Sequence, residues 1–263
     1  MANDKWNAKI GSRQFWTEGW GSFAVAIAVA LSIRWALMEA YVIPSASMLP
    51  TLLIHDHIFV NKIVYGVRVP FSESWLVKFN EPKRGDVIVF KYPINKSVFF
   101  IKRVVGLPGD KVTYESNKLY VNDKLAETQP ASDHSDFDRV RDVDFSQEGE
   151  AAADWRDSKS QYVHLTEELP GGKKHSILMS KEARYGTSQT WNVPSNSLFV
   201  MGDNRDNSLD SRKWPIGRSF VPEEYILGRA MFVWLSCEDT LPVVTFLCNP
   251  LTLRWGRFFH AVD

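Results

Sequence analysis

The amino-acid sequence predicts a mainly β protein in which an N-terminal transmembrane helix precedes a β-rich domain with an inserted subdomain. Three observations lead to this fold class. Residues 19–33 carry no charge. After residue 42 the chain breaks into short β-rich runs separated by turns, and helical periodicity is scarce there. With 263 residues, 44% hydrophobic and 24% charged, the chain has the composition of a globular protein.

The uncharged segment predicts a membrane anchor. Extended to Met38, it would form a helix about 30 Å long, which matches the hydrocarbon core of a bilayer. Lys and Arg residues precede the segment and none occurs over residues 35–61, so the positive-inside rule places the N-terminus in the cytoplasm. We expect a cytoplasmic segment over 1–18, a single-pass anchor over 19–41 and an extracytoplasmic domain over 42–263. A cleavable signal peptide is the alternative, because its apolar core has a similar length.

The β-rich part is predicted from short apolar runs bounded by turn residues such as Pro108-Gly109. An insertion is expected at about 122–195, where residues 126–160 form an acidic loop or mobile segment. This acidic segment contains ten Asp or Glu and four Lys or Arg residues, a net charge of −6, which leaves +6 for the remainder. The basic remainder suits an anionic membrane surface, although patchy surface charge explains it equally well. The predicted strands cover residues 58–60, 86–92, 98–105, 112–121, 175–179, 197–201 and 226–235.

Two features near the C-terminus leave alternatives open. Cys237 and Cys248 are the only cysteines, and outside the cytoplasm they could form a disulfide or remain buried thiols. The apolar stretch 241–251 is too short to cross a bilayer. We expect it to pack in the core; the alternative is a surface that rests on the membrane together with Trp255, Phe258 and Phe259.

Candidate chemistry begins at the serine-bearing turn Pro44-Ser45-Ala46-Ser47-Met48-Leu49-Pro50, directly after the anchor. A nucleophilic serine needs a base. Lys102 lies in an apolar run and, by strand alternation, shares a face with Phe100 and Val104, where burial would favour its neutral amine. An exposed strand edge is the alternative. His55-Asp56-His57 is expected to be a solvated turn rather than a metal site, because further ligands are lacking.

A third block, residues 202–212, is dense in charged, amide and hydroxyl side chains and predicts a hydrogen-bonded loop that supports a site. Three segments now resemble the boxes of bacterial type I signal peptidases, in the same order. They are Pro-Ser-Ala-Ser-Met-Leu-Pro-Thr-Leu (44–52), Ile-Lys-Arg-Val-Val-Gly-Leu-Pro-Gly-Asp (101–110) and Gly-Asp-Asn-Arg-Asp-Asn-Ser-Leu-Asp-Ser-Arg (202–212). The resemblance covers the anchor and about residues 41–121 and 160–235.

The resemblance implies a Ser/Lys-dyad serine endopeptidase of peptidase family S26, with Ser47 as nucleophile and Lys102 as general base. It implies that the Ser47 N–H and the Ser45 hydroxyl hold the oxyanion and that Ser208 orients the lysine amine. The supporting ion pairs would be Asp210–Arg212 and Asp203–Arg103. Shallow pockets for small substrate residues at positions −1 and −3 would be walled by Tyr41, Ile43, Pro44, Met48, Leu52, Phe100 and Ile101.

The resemblance further implies removal of signal peptides from exported preproteins at the bacterial cytoplasmic membrane, beside the bilayer and the secretion translocon. A monomer without cofactor, metal or nucleic acid is expected. Ala46 stands where the family often has Gly, and His55 precedes Asp56 where Gly-Asp is usual. The alternatives are a related Ser/Lys protease, either a self-cleaving repressor type or a pilin-maturation peptidase, and a membrane-tethered β domain that only binds partners.

Overall fold

The computed structural model describes residues 10, 12–69, 72, 74–145, 158–171, 173–182, 188–242, 244 and 246–262. The chain divides into two compact units, Met1–Glu39 and Ala40–Asp263. The first unit contains the helices α1 (Arg13–Glu18) and α2 (Trp20–Leu37). The hydroxyl of Ser12 caps α1 by accepting the Phe15 N–H.

The expected anchor over 19–41 coincides with α2 only in part. The helix ends at Leu37, and residues Met38–Val42 form the first strand, β1, which joins the main sheet. Within the described part of the chain, no helix combines the length and the apolar character that crossing a membrane requires.

The second unit is β-rich, which confirms the mainly β prediction. After β1 its strands are β2 (Asp56–Asn61), β3 (Gly66–Arg68), β4 (Trp75–Lys78), β5 (Val87–Lys91), β6 (Phe99–Gly106), β7 (Lys111–Glu115), β8 (Lys118–Val121), β9 (Lys124–Leu125), β10 (Glu127–Pro130), β11 (Tyr162–Leu169), β12 (Lys173–Ser180), β13 (Gln189–Asn192), β14 (Ser197–Met201), β15 (Val221–Pro222), β16 (Ile226–Ser236) and β17 (His260–Ala261). One further α-helix, α3, covers Ser135–Asp138, and 3₁₀ turns cover Ala46–Met48, Asp142–Phe145, Ser158–Gln161, Glu223–Tyr225, Pro250–Thr252 and Trp255–Arg257.

The main sheet has the strand order β1-β2-β16-β5-β6-β14-β15, with β17 pairing to β16. Strand β6 pairs antiparallel with β5 over Phe99–Arg103, and with β14 from Arg103 onward. Its first residues therefore have no partner strand on the β14 side among the described elements. Three smaller sheets, β10-β11-β12, β13-β7-β8-β9 and β3-β4, complete the unit.

Two predictions about the region after β6 need correction. The run 112–121, expected as one strand, is a hairpin, because Ser116 and Asn117 adopt positive φ angles of 49° and 61° and turn the chain. The acidic segment 126–160, expected as a loop, contains β10 and α3. Strand β10 pairs with β11, so backbone pairing orders this polar sequence. Residues 146–157 of the segment lie outside the described residues.

The C-terminal region also differs from expectation. Cys237 and Cys248 form a disulfide, one of the two alternatives left open. Core packing of residues 241–251 is wrong for the large side chains, because Phe246 is 62% exposed and Leu251 is 91% exposed. Phe246 lies within the loop closed by the disulfide and Leu251 lies just after it, and both are mostly exposed in the described chain.

The interpretation of His55-Asp56-His57 as a solvated turn is wrong as well. Asp56 is fully buried and forms an ion pair with Arg257 at 2.6 Å, and His57 is buried. His57 and the sulfurs of the disulfide have their potential ligand atoms within 4.8 Å. Sulfurs bonded to each other are not thiolates, and thiolate is the form of cysteine that binds metal. His55 has a φ of 65°, a left-handed conformation that glycine adopts without steric cost.

Candidate active site

The serine turn is fixed by burial of the apolar residues that follow it. Ser47 lies in the 3₁₀ turn Ala46–Met48, and its side chain is almost buried. Met48 and Leu52 pack against apolar residues of β2, β5 and β16, while Leu49 and Leu53 pack against residues of the inserted part. Because these side chains point into two different cores, the turn cannot rotate without exposing one set of them.

Lys102 reaches this turn from strand β6. Its Nζ lies 2.6 Å from the Ser47 Oγ and donates to the Ile101 carbonyl at 2.9 Å. Strand alternation places Lys102 on one face with Phe100 and Val104, and its Nζ lies 5.3 Å from the centre of the Phe100 ring. The serine hydroxyl and the lysine amine are thus in direct contact although 55 residues separate them in sequence.

Burial favours the neutral form of this amine over the charged ammonium. Lys102 is 4% exposed, and desolvation lowers its pKa to about 8, against the opposing effect of Asp210 and Asp203. Among the described residues no carboxylate lies within ion-pair distance of Nζ. A substantial share of the amine is therefore neutral near pH 8, as a general base requires.

The loop 202–212 lies beside the serine turn and is held by buried ion pairs. Arg103 binds Asp203 through two hydrogen bonds of 2.8 and 2.7 Å, and Arg212 binds Asp210 in the same bidentate way at 2.9 and 2.8 Å. Burial alone would raise the pKa of Asp210, but Arg212 and the Gly202 N–H hold it below its ordinary value. The structure thus brings both expected pairs together.

Gly202 permits the close approach of this loop to the turn. A Cβ at this position would lie 2.2 Å from the Ser208 Oγ and 2.5 Å from the Ser47 carbonyl oxygen. Both distances are far below van der Waals contact, so any side chain here would push the loop away from Ser47.

The two other serines expected at the site, Ser45 and Ser208, differ in their surroundings. The hydroxyls of Ser45 and Ser47 lie 3.4 Å apart, and Ser45 is exposed. Ser208 is buried in the loop, but the expected hydrogen bond to Lys102 is absent from the described contacts. The lysine amine instead bonds to Ser47 and to the Ile101 carbonyl.

The expected apolar wall divides between two cores. One cluster contains the buried Ile43, Met48 and Leu52, with the partly buried Tyr41 and Ile101 packed against it. Phe100 belongs to the other cluster, where it stacks on Tyr92 at 4.4 Å and lies near Trp214. Pro44 is exposed beside the turn.

Sequence reasoning missed three residues that hold the turn. Thr51 donates to Asp203 at 2.6 Å, Arg257 donates to the Thr51 carbonyl at 3.0 Å, and Asn204 donates to the carbonyls of Ala46 and Ser47. Asn204 stands within the polar block 202–212, and the density of polar side chains there is the sequence signal that points to it. Nothing in the sequence pattern connects Arg257 with residues two hundred positions earlier.

A serine hydroxyl in contact with a desolvated lysine amine is the arrangement of a serine hydrolase that uses lysine in place of histidine. Comparison with known proteins agrees with this class. The family model described as signal peptidase, peptidase S26, matches residues 16–235. The chain belongs to this family.

Individual relatives support the same assignment. The chain is 34% identical over 252 residues to a signal peptidase I of Buchnera aphidicola, covering 88% of this chain and 78% of the relative. It is 35% identical over 245 residues to a signal peptidase I of Pseudomonas aeruginosa, covering 88% and 76%. A crystal structure of a signal peptidase I from Enterococcus faecalis is 24% identical and covers 58% of this chain and 98% of that one, with a TM-score of 0.33, too low to support an argument.

Proposed function

We propose that Ser47 and Lys102 are the nucleophile and the general base of this enzyme. As a member of the signal peptidase family, the chain is a serine endopeptidase that removes signal peptides from preproteins. The observation that carries the residue assignment is the 2.6 Å contact between the Ser47 Oγ and the Nζ of a buried lysine whose pKa is lowered to about 8.

The proposed reaction begins with a neutral Lys102 amine. The amine accepts the Ser47 proton while the Oγ attacks the scissile carbonyl carbon. The resulting oxyanion is held by the Ser47 N–H and the Ser45 hydroxyl, and each such donor contributes about 3 kcal/mol to transition-state stabilisation. The lysine ammonium then protonates the leaving amine of the mature protein. Water, deprotonated by the same amine, then attacks the acyl carbon; the acyl–Oγ bond breaks, the lysine ammonium returns its proton to the Ser47 Oγ, and the signal peptide is released.

The loop 202–212 supplies supporting groups in this proposal. Ser208 orients the lysine amine when substrate is bound, and the pairs Asp210–Arg212 and Asp203–Arg103 keep the loop in position. The bidentate geometry and burial of both pairs support this assignment. None of these four charged groups takes part in bond making.

Substrate binding is proposed along the unpaired first residues of β6. An extended signal peptide would add there as a strand, with backbone hydrogen bonds for affinity and shallow pockets for small residues at −1 and −3. The clustering of five apolar residues beside Ser47 supports this site. The proposed contact residues are Tyr41, Ile43, Pro44, Met48, Leu52, Phe100 and Ile101.

The location is proposed to be the bacterial cytoplasmic membrane. Residues 1–18 would lie in the cytoplasm, 19–41 would form the anchor, and 42–263, with its insertion at about 122–195, would lie outside as a monomer near the translocon. The run of uncharged residues and the basic N-terminus support this arrangement. The exposed side chains Phe246, Leu251, Trp255 and Phe259 support contact with lipid.

Cleavage of a preprotein tests the dyad. The detergent-solubilised full chain should cut after the signal sequence, while Ser47→Ala and Lys102→Ala should lose activity by about 10³-fold or more. Ser195→Ala and Lys118→Ala, exposed residues of the same types, serve as matched controls and should cleave normally. Full activity of Lys102→Ala would overturn the dyad.

Membrane extraction tests the location. Membranes that contain the full chain should retain it in alkaline carbonate, and protease added outside should digest the β-rich unit while sparing the N-terminal residues. Release of the chain by carbonate would contradict the anchor.

A further inference from the structure

We propose that Asn204 is a positioning residue that polarises the peptide unit whose N–H forms the oxyanion hole. The inference rests on the proposed function, because it assumes that the Ser47 N–H holds the oxyanion. Asn204 itself touches neither the hydroxyl of Ser47 nor the amine of Lys102 in the described contacts. It acts through the backbone of the serine turn.

The contacts of Asn204 converge on two neighbouring peptide units. Its side-chain Nδ2 donates to the Ala46 carbonyl at 3.1 Å, and its backbone N–H donates to the Ser47 carbonyl at 3.2 Å. The Ala46 carbonyl also accepts the Leu49 N–H at 3.1 Å, as part of the 3₁₀ turn. The oxygen of the Ala46–Ser47 peptide therefore accepts two hydrogen bonds.

The other end of the same peptide unit is the Ser47 N–H. In a trans peptide the C=O and N–H point in opposite directions, so the donors on the Ala46 oxygen lie on the side away from this N–H. Among the described residues the Ser47 N–H donates to no acceptor and remains available for an oxyanion. Hydrogen bonds accepted by a carbonyl polarise its peptide unit and strengthen the bond that its N–H donates.

Asn204 is held rigidly enough for this task. It is fully buried, and its loop pairs with β12, where the Leu178 N–H donates to the Asp203 carbonyl at 2.9 Å and the Arg205 N–H donates to the Leu178 carbonyl at 3.0 Å. The next residue, Arg205, forms a buried bidentate pair with Glu167 of β11. The inserted strands thereby set the position of the amide donor against the serine turn.

The orientation of the side-chain amide agrees with a donor function. The Oδ1 of Asn204 is buried without a hydrogen-bond partner in the described structure. Exchanging the positions of Oδ1 and Nδ2 would turn the oxygen toward the Ala46 carbonyl and leave two acceptors facing each other. Asn204 thus leaves one buried acceptor unpaired while its donor bonds to Ala46. An apolar residue could fill the same space without an unpaired acceptor, so the donor bond is what asparagine adds here.

The decisive experiment compares Asn204→Asp and Asn204→Ala with the wild-type full chain in preprotein cleavage. Asn204→Asp keeps the shape but loses the donor, and Asn204→Ala loses the donor without placing a carboxylate beside a carbonyl. We expect kcat to fall about 10- to 100-fold in both, with KM unchanged; the pH midpoint of the rate should stay unchanged in Asn204→Ala, which introduces no charge near Lys102. A peptide aldehyde, which forms a hemiacetal with Ser47 and so occupies the oxyanion hole, should lose affinity by a similar factor.

Asn122→Asp is the matched control, because it removes an Nδ2 donor to Asp110 at 2.7 Å on another element; its kcat should equal that of wild type. Wild-type kcat in both Asn204 variants would overturn the inference while leaving the proposed function intact. A loss confined to KM and thermal stability, with aldehyde affinity retained, would also overturn it and assign a structural role. An inactive wild type would instead contradict the proposed function.

Discussion

Each face of strand β6 buries one basic side chain, and the two side chains have opposite surroundings. Arg103 is fully buried and meets Asp203 in a bidentate pair, with a further hydrogen bond to the Gly85 carbonyl at 2.9 Å. Lys102, the preceding residue, is almost as buried but meets a hydroxyl and a carbonyl, with no carboxylate at ion-pair distance among the described residues. Neighbours in sequence thus differ in whether their charge is compensated.

One strand can thus fix the position of a site through one side chain and present a side chain suited to its chemistry through the next. A buried guanidinium with a carboxylate partner keeps its charge and fixes two elements together. A buried amine without such a partner lowers the cost of burial by giving up its proton, and so becomes a base. Substitutions on the two faces should therefore have different effects.

Replacing the proposed base, Lys102, by a permanent cation should have the largest effect on cleavage. Lys102→Arg places a guanidinium beside Ser47, and guanidinium does not lose its proton in proteins. We expect the cleavage rate to fall by about 10³-fold or more, at every pH from 6 to 10. Single-turnover cleavage of a preprotein measures this, with Lys118→Arg as the control. Activity within tenfold of wild type would show that proton acceptance by Lys102 is not required.

Removing the partner on the other face should chiefly affect stability. Asp203→Ala leaves Arg103 buried without its carboxylate and deprives Thr51 of its acceptor. Breaking a buried ion pair in this way costs about 3–5 kcal/mol of unfolding free energy. Urea unfolding with an unchanged m-value would measure the loss. A change below about 1 kcal/mol, the scale of an exposed pair, would mean that this face is solvated.

Removing the uncompensated amine of Lys102 should increase the unfolding free energy, whereas Asp203→Ala should decrease it. The pKa of Lys102 is about 8 when folded, against an ordinary value of 10.5. Between these values the unfolded chain binds a proton that the folded chain lacks, so this group makes stability rise with pH up to about 10.5. Lys102→Met should therefore raise the unfolding free energy by up to about 3 kcal/mol at pH 7.

The same variant should lose most of this advantage at pH 10, because the folded amine is then neutral and the pH is only about half a unit below the ordinary value of 10.5, so little free energy is still needed to remove the proton from the unfolded chain. Urea unfolding of wild type and Lys102→Met at both pH values makes the comparison. A variant equally or less stable than wild type at pH 7 would show that the amine is not desolvated.

The smallest effect should come from a change far from both faces. Cys237→Ser with Cys248→Ser opens a loop closed over 11 residues, which should cost about 2–3 kcal/mol. The pH profile of cleavage should stay unchanged, because the disulfide contacts neither Lys102 nor Ser47 in the described structure. A displaced pH midpoint in this variant would mean that the lysine environment depends on global stability rather than on local burial.

Local patterns predicted the strands better than they predicted the site. Strand β14 has the predicted bounds, because an apolar run between turn residues specifies its own ends. Residues 112–121 form a hairpin rather than the single strand that the pattern predicts, because nothing in the hydrophobic pattern shows that Ser116 and Asn117 adopt positive φ. Exposure of Phe246 was equally hidden, because hydrophobicity alone does not determine what covers a side chain.

In the candidate site, alternation predicted which face of β6 carries Lys102, but not what that face meets. The contact with Ser47 depends on the packing of the serine turn between two cores. The support of the turn by Asn204 depends on pairing between its loop and an inserted strand, β12. Such long-range packing has no periodic signature in the chain.

The pH dependence of kcat/KM tests the central claim most directly, because it reports the ionisation of the free enzyme. Cleavage of one preprotein should be measured from pH 6 to 10 in the same detergent, with protein stability checked at each pH. We predict a rise on a single ionisation with a midpoint near the Lys102 pKa of about 8. A flat profile from pH 6 to 9, or a midpoint above 10, would contradict the assignment of a desolvated lysine as the base.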